Sequence, residues 1–257
     1  MTFCLGINVE EGLVGIADTR ITSGSECITA RKVSVFRIGS HPFFVMTSGL
    51  RSVRDKSIIY FEEALEEREQ PFTRLFQVVN AYAGQIRRVA EEDKPALTAS
   101  GFQFNIHAIV GGQLEHDREH RLFMIYPEGN WVEVNKGTPY QIIGETGYGK
   151  PVLDRTLKYQ DSMRFALKVG CLAFDSTRIS AAGVDFPIDV VIYDRAKAIL
   201  VEHRYEKEDL KEISTWWQDR LRASVTALPA HCIERVFEEL AASPGGGNGQ
   251  SVLDGCA

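Results

Sequence analysis

Threonine at position 2 of this 257-residue chain can do chemistry that an internal threonine cannot. Removal of an initiator methionine ahead of a small residue would leave Thr2 with a hydroxyl and an α-amine on adjacent carbons. Such an amine has a reference pKa of about 7.7–8.0, close enough to neutrality to act as a general base. A threonine paired with its own N-terminal amine is one form of activated nucleophile. A lysine nearby would stabilise the developing alkoxide and lower the proton affinity of the amine, and a carboxylate would keep that lysine charged and oriented. Asp18 and Lys32 are candidates for these two roles.

A second stretch, QIIGETGYGKPVLD, poses a rival chemistry. Gly144, Gly149 and Lys150 match a G-x-x-x-x-G-K phosphate loop, but position 151 is Pro151 instead of the Ser or Thr that would reach Mg²⁺. Proline has no hydroxyl and no N–H. It is well suited to the first turn of a helix, so the stretch reads as a strand–turn–helix connection with glycines at the turn. The cluster His116-Asp117-Arg118-Glu119-His120 has no third ligand at a metal-binding spacing. It is expected to be a solvated loop between two strands.

These residues need a frame to hold them. Short apolar runs at Thr2–Val9 and Leu13–Ala17 around a Glu-Glu-Gly turn predict a hairpin. Val33–Arg37 and Phe43–Thr47 predict a second. Helical spacing predicts helices over Arg51–Glu67 and Phe72–Ala90, with Pro95 closing the pair. Strands are expected at Phe102–Val110, Leu122–Tyr126, Trp131–Val134 and Gln141–Ile143, then helices over about Pro151–Asp175. Two more strands, Ile188–Tyr193 and Ala198–His203, precede a helical region from about Glu208 to Leu240. Hairpins dominate and the helices fall in separate blocks. The expected fold is α+β: a four-layer αββα sandwich of two antiparallel sheets between helices. One domain is expected over 1–242, including a C-terminal helical extension at about 208–240. The Gly-rich 243–257 is expected to be a disordered tail.

Composition narrows the classes. The chain is 44% hydrophobic and 25% charged, which is ordinary for a globular domain. A net charge of −6 argues against nucleic-acid and anionic-membrane partners. There is no run of 18 apolar residues and no signal-peptide pattern. Five widely spaced cysteines predict reduced thiols and a cytoplasmic protein.

Thr2 opening a strand, then GLVGIADTRITSG (Gly12–Gly24) and ARKVSVF (Ala30–Phe36), together resemble a catalytic proteasome β-subunit. GETGYGKP and the long C-terminal helical region resemble the bacterial Anbu branch, the ancestral β-subunit homologues. The resemblance implies the N-terminal-nucleophile hydrolase fold, with Thr2 as nucleophile and Asp18 and Lys32 as its partners. It implies an oxyanion-binding backbone N–H at Ser48, with Gly49 adjacent. It implies supporting residues near Thr2, for which Glu145 or Thr146 stands where the proteasome has serine. Asp175 and Ser176 only loosely match a later Asp-x-x-Ser. The expected function is a threonine peptidase or amidohydrolase subunit acting on peptide or protein, assembled with itself as a ring or open ring. No metal or organic cofactor is called for. The alternative is a non-catalytic scaffold of the same fold. The stripe Leu210, Ile213, Trp217, Leu221, Val225 and Leu228 is expected to serve both core and subunit interface.

Overall fold

The computed structural model describes residues 2–23 and 26–242. Met1 and the 243–257 tail, expected to be disordered, lie outside the described residues. Two compact units divide the chain, Met1–Ser214 and Thr215–Ala257.

The first unit contains two five-stranded antiparallel sheets. One is built from β1 (Phe3–Val9), β2 (Gly12–Asp18), β10 (Tyr140–Gly144), β11 (Ile188–Asp194) and β12 (Ile199–Tyr205), in the order β10-β1-β2-β11-β12. The other runs in chain order through β5 (Val33–Ile38), β6 (His41–Gly49), β7 (Ile106–Gly112), β8 (Arg121–Ile125) and β9 (Trp131–Glu133). A small hairpin, β3 (Arg20–Ser23) with β4 (Glu26–Thr29), stands apart from both.

Strand alternation explains why the sheets stack. In β1, Phe3, Leu5, Ile7 and Val9 face one apolar cluster, where they meet Leu153, Ala166, Val169 and Phe174. Those partners belong to α3 (Lys150–Thr156) and α4 (Met163–Ser180). Cys4 faces the opposite way, into a cluster with Met46, Ile109 and Leu122 of the other sheet. In the second sheet Phe43, Val45, Ala108 and Val110 face α1 (Arg51–Glu66) and α2 (Leu75–Ala99). The layers therefore run α1/α2, sheet, sheet, α3/α4, each sheet being apolar on both faces. This is the expected αββα sandwich.

Some local expectations are corrected. Pro95 does not close a helix, because α2 continues through it to Ala99. Pro95 lies on the exposed side, so its missing N–H is lost on a solvated face while Leu97 still packs on the core beneath. Residues 102–105 precede the strand instead of opening it. The loop around Asp117 is not simply solvated. Asp117 and His120 are buried. The Asp117 carboxylate accepts from the N–H of Leu75, at the start of α2 (2.8 Å), and from that of Leu114 (3.0 Å), so it caps the helix. His120 Nε2 meets the Val9 carbonyl at 2.8 Å.

The C-terminal region begins with a 3₁₀ turn at Lys207–Leu210. It continues as α5 (Lys211–Thr226), inside which the unit boundary falls, and α6 (His231–Ala242). Leu210 is buried and Ile213 packs on the core of the first unit. Leu221, Val225 and Leu228 are exposed, as are Val236, Phe237 and Leu240 of α6.

Candidate active site

Thr2 stands directly before β1, and the period of the strand puts its side chain on the face of Cys4, between the two sheets. On β6 the inter-sheet space is closed at buried Met46 and opens two residues on, at half-buried Ser48. Thr2 is itself half-buried. Its position is set from both sides. β10 pairs with β1 so that Gly144 lies opposite Phe3, and the Glu145 N–H donates to the Thr2 carbonyl at 2.7 Å. On the other side, the Phe3 N–H donates to Asp18 Oδ1 at 2.8 Å.

Asp18 and Lys32 are brought together here. Lys32 Nζ donates to Asp18 Oδ1 at 2.7 Å and to the Arg20 carbonyl at 2.7 Å. An ammonium has three donors, and these two bonds use two of them. Asp18 is fully buried and Lys32 is 4% exposed. Burial pushes the Asp18 carboxyl above its usual range, and the charge and hydrogen bond of Lys32 oppose that shift. The supporting backbone is held by Thr19, whose N–H and Oγ1 both donate to the Pro187 carbonyl, at 3.0 and 2.8 Å. Arg20 adds an ion pair to Asp185 at 3.0 Å. Thr19 and Arg20 lie inside the same ADTR segment as Asp18.

The chain from Gly144 to Lys150 answers the phosphate-loop question. Gly144 has φ +90°, and a Cβ there would lie 2.0 Å from the Thr2 carbonyl oxygen and 3.1 Å from Ser48 Oγ. The glycine is therefore required by close backbone approach. A Cβ on Gly149 would press on the Ala173 carbonyl (3.0 Å) and Thr177 Oγ1 (3.1 Å) of α4. Lys150 is bound to Asp154 at 2.8 Å and to the Tyr140 hydroxyl at 3.0 Å. The glycines serve packing, and the lysine is engaged by its own helix and β10.

The supporting candidates fall differently. Glu145 reaches Thr2 through its backbone, while its carboxylate turns to the Gly147 N–H at 3.4 Å. Thr146 is exposed. Asp175 is paired with Arg178 at 2.7 Å, and Ser176 Oγ donates to the Leu172 carbonyl one turn back in α4 at 2.9 Å. Among the described residues no group of His, Cys, Asp and Glu could hold a metal, and no helix is long and apolar enough to cross a membrane.

Layered antiparallel sheets, with Thr2 at the head of β1 beside a buried Asp–Lys pair, define the proteasome-like N-terminal-nucleophile fold. The chain belongs to the Anbu (ancestral β-subunit) family. It is 30% identical to a Gly-1 mutant of Anbu from Hyphomicrobium sp. strain MC1, covering 88% of this chain and 98% of that one, with a TM-score of 0.81. Anbu from Yersinia bercovieri matches at 26% identity and TM-score 0.82, covering 88% of this chain and 98% of that one. The Pseudomonas aeruginosa Anbu complex, solved as a helical assembly, matches at 27% identity and TM-score 0.82, covering 88% and 97%. No protein-family model and no curated protein matches the chain.

Proposed function

We propose that this chain is a cytoplasmic threonine-type amidohydrolase subunit that cleaves peptide bonds with Thr2 after Met1 is removed, and that it works as a homo-oligomer. The observation that carries the reading is the buried chain of hydrogen bonds that starts at the residue after Thr2 and runs from the Phe3 N–H through Asp18 to Lys32.

The α-amine of Thr2 takes the proton of Oγ1 as the oxygen attacks the substrate carbonyl. Lys32, oriented by Asp18, offers its remaining N–H to the developing negative charge. The ammonium of Thr2 then protonates the leaving amine as the C–N bond breaks and an ester forms on Oγ1. A water, deprotonated by the same amine, attacks the ester, and the resulting ammonium returns the proton to Oγ1 as the acid product leaves.

Strand geometry favours Gly49 over Ser48 as oxyanion donor. N–H groups alternate sides along an antiparallel strand. Thr47 donates to the Lys32 carbonyl on the β5 side (3.1 Å) and Leu50 to the Asn105 carbonyl on the β7 side (2.9 Å). Ser48 therefore points its N–H to β7, within the ladder. That of Gly49 points the other way, past the first residue of β5, towards the cleft.

Self-assembly rests on the helical Anbu assembly from Pseudomonas aeruginosa and on the exposed apolar residues of α5 and α6. The test is an intact mass spectrum, followed by labelling with a peptide epoxyketone. A mass lacking Met1 and an adduct on Thr2 that disappears in Thr2→Ala are expected. Oligomers that retain Met1, or that never form the adduct, would favour the scaffold reading.

A further inference from the structure

His107 has no role in the chemistry above, yet the register places it beside the site. It is the direct partner of Ser48 across β6 and β7. Along β7, Ile106, Ala108 and Val110 face the α1/α2 layer, and Ile109 faces the space between the sheets. His107 shares the face of Ile109. Ser48 likewise shares the face of Met46, and it approaches the Gly144 turn that holds Thr2. Tyr126, which packs against the inter-sheet cluster, meets the His107 ring edge-to-face with centroids 6.2 Å apart. Ser48, His107 and Tyr126 thus form a row along the open end of the inter-sheet space, starting beside the Gly144 turn, and all three are half-buried.

The imidazole is unlike the other buried histidine. His120 is bound to the Val9 carbonyl, whereas neither ring nitrogen of His107 has a hydrogen-bond partner among the described residues. A half-buried polar ring left without a protein partner is satisfied by water or by ligand. We propose that His107 is a specificity-determining residue that hydrogen-bonds an uncharged polar side chain, carboxamide or hydroxyl, of a peptide lying in the cleft. Burial holds the ring below its ordinary pKa, so it is neutral at physiological pH and offers one donor and one acceptor. The Glu128 carboxylate is the charged group that acts on the ring, and it disfavours an anionic side chain at this position.

The inference takes from the proposed function only that peptide occupies this cleft. Its test is a binding measurement in the full-length Thr2→Ala protein, so it does not depend on turnover. Acetylated peptides differing by Gln or Leu at one position are titrated, with the His107 ring nitrogens followed by NMR. A roughly three- to tenfold preference for a Gln peptide is expected, the worth of one hydrogen bond. The preference should vanish in His107→Leu and be kept in part in His107→Gln. An unchanged preference in His107→Leu would overturn the proposal. So would peptide binding that leaves the ring signals unmoved, or no binding at all. Failure of the Thr2 adduct in the wild-type protein would instead count against hydrolysis alone.

Discussion

Gly144 approaches Thr2 so closely that a Cβ on the glycine would lie 2.0 Å from the Thr2 carbonyl oxygen. Thr2, the proposed nucleophile, is thus placed by a backbone contact between the end of β10 and the start of β1, with the Glu145 N–H completing the clamp. Gly144→Ala must move one of the two segments and must also adopt φ +90°. A cost of about 1–3 kcal/mol is expected for such a conformation. The thermal melt should fall by a few degrees while the circular dichroism of the fold persists. Labelling of Thr2 should fall by at least tenfold. A variant that labels at the wild-type rate would show that the clamp does not set the geometry.

Lys32 and Asp18 are mutually dependent. Removing Lys32 as Lys32→Met leaves a fully buried carboxylate without its cation, which costs about 3 kcal/mol in comparable buried pairs. The sign with pH follows from the Asp18 carboxyl, already raised by burial. Losing Lys32 raises it further. An acid whose folded pKa is raised is accommodated below its unfolded value and costs stability as pH rises. Lys32→Met should therefore lose more stability relative to wild type at pH 8 than at pH 5, measured by urea titration. The double variant Lys32→Met/Asp18→Asn should recover stability without recovering Thr2 labelling. Equal destabilisation at both pH values would contradict this account.

The framework of this site was legible because period-2 and period-3.6 patterns mark faces. The alternation of Phe3, Leu5, Ile7 and Val9 is visible in the chain, and it implies which way Thr2 points. Asp18 and Lys32 were legible as a motif, and the structure joins them. Less visible were contacts whose partners are distant in sequence. Gly144 against Thr2, and His107 against Ser48, depend on strand register, which no local pattern prints. The β3–β4 hairpin is polar and short, so it carries no alternation. Asp117 and His120 sit in a wholly polar run that hides their burial, because each is bound to a distant backbone group.

His120 gives the fold a dependence on acid pH. Burial lowers its pKa, as does Arg195, while its bond to the Val9 carbonyl opposes the shift. A base whose folded pKa is depressed contributes stability that is present above its unfolded value, about 6.5, and lost as pH falls. The melting temperature should decline from pH 7 to pH 5. His120→Gln can still donate to Val9 but cannot take a charge. Its decline should be shallower than that of the wild type, and identical slopes would remove His120 as the cause.

Ser48 and Gly49 make opposite claims on the oxyanion, and single-atom changes separate them. The N–H of Ser48 lies within the β6–β7 ladder, where His107 is its partner residue, whereas the alternation turns the Gly49 N–H away from β7. Side-chain substitution at Gly49 is a poor probe, because φ is +137° and a Cβ would lie 2.2 Å from the Asn105 carbonyl oxygen. Ser48→Ala keeps both N–H groups and should leave peptide turnover within about tenfold of wild type. Replacing Gly49 by glycolic acid through nonsense suppression turns its N–H into an ester oxygen and adds no bulk. Loss of one oxyanion donor typically lowers kcat by about 10² to 10³, and that loss is expected here with KM nearly unchanged. The same replacement at Ser48, by the corresponding hydroxy acid, should lower the melting temperature by removing a ladder bond, with a smaller effect on kcat. A larger loss of kcat at Ser48 than at Gly49 would reverse the assignment.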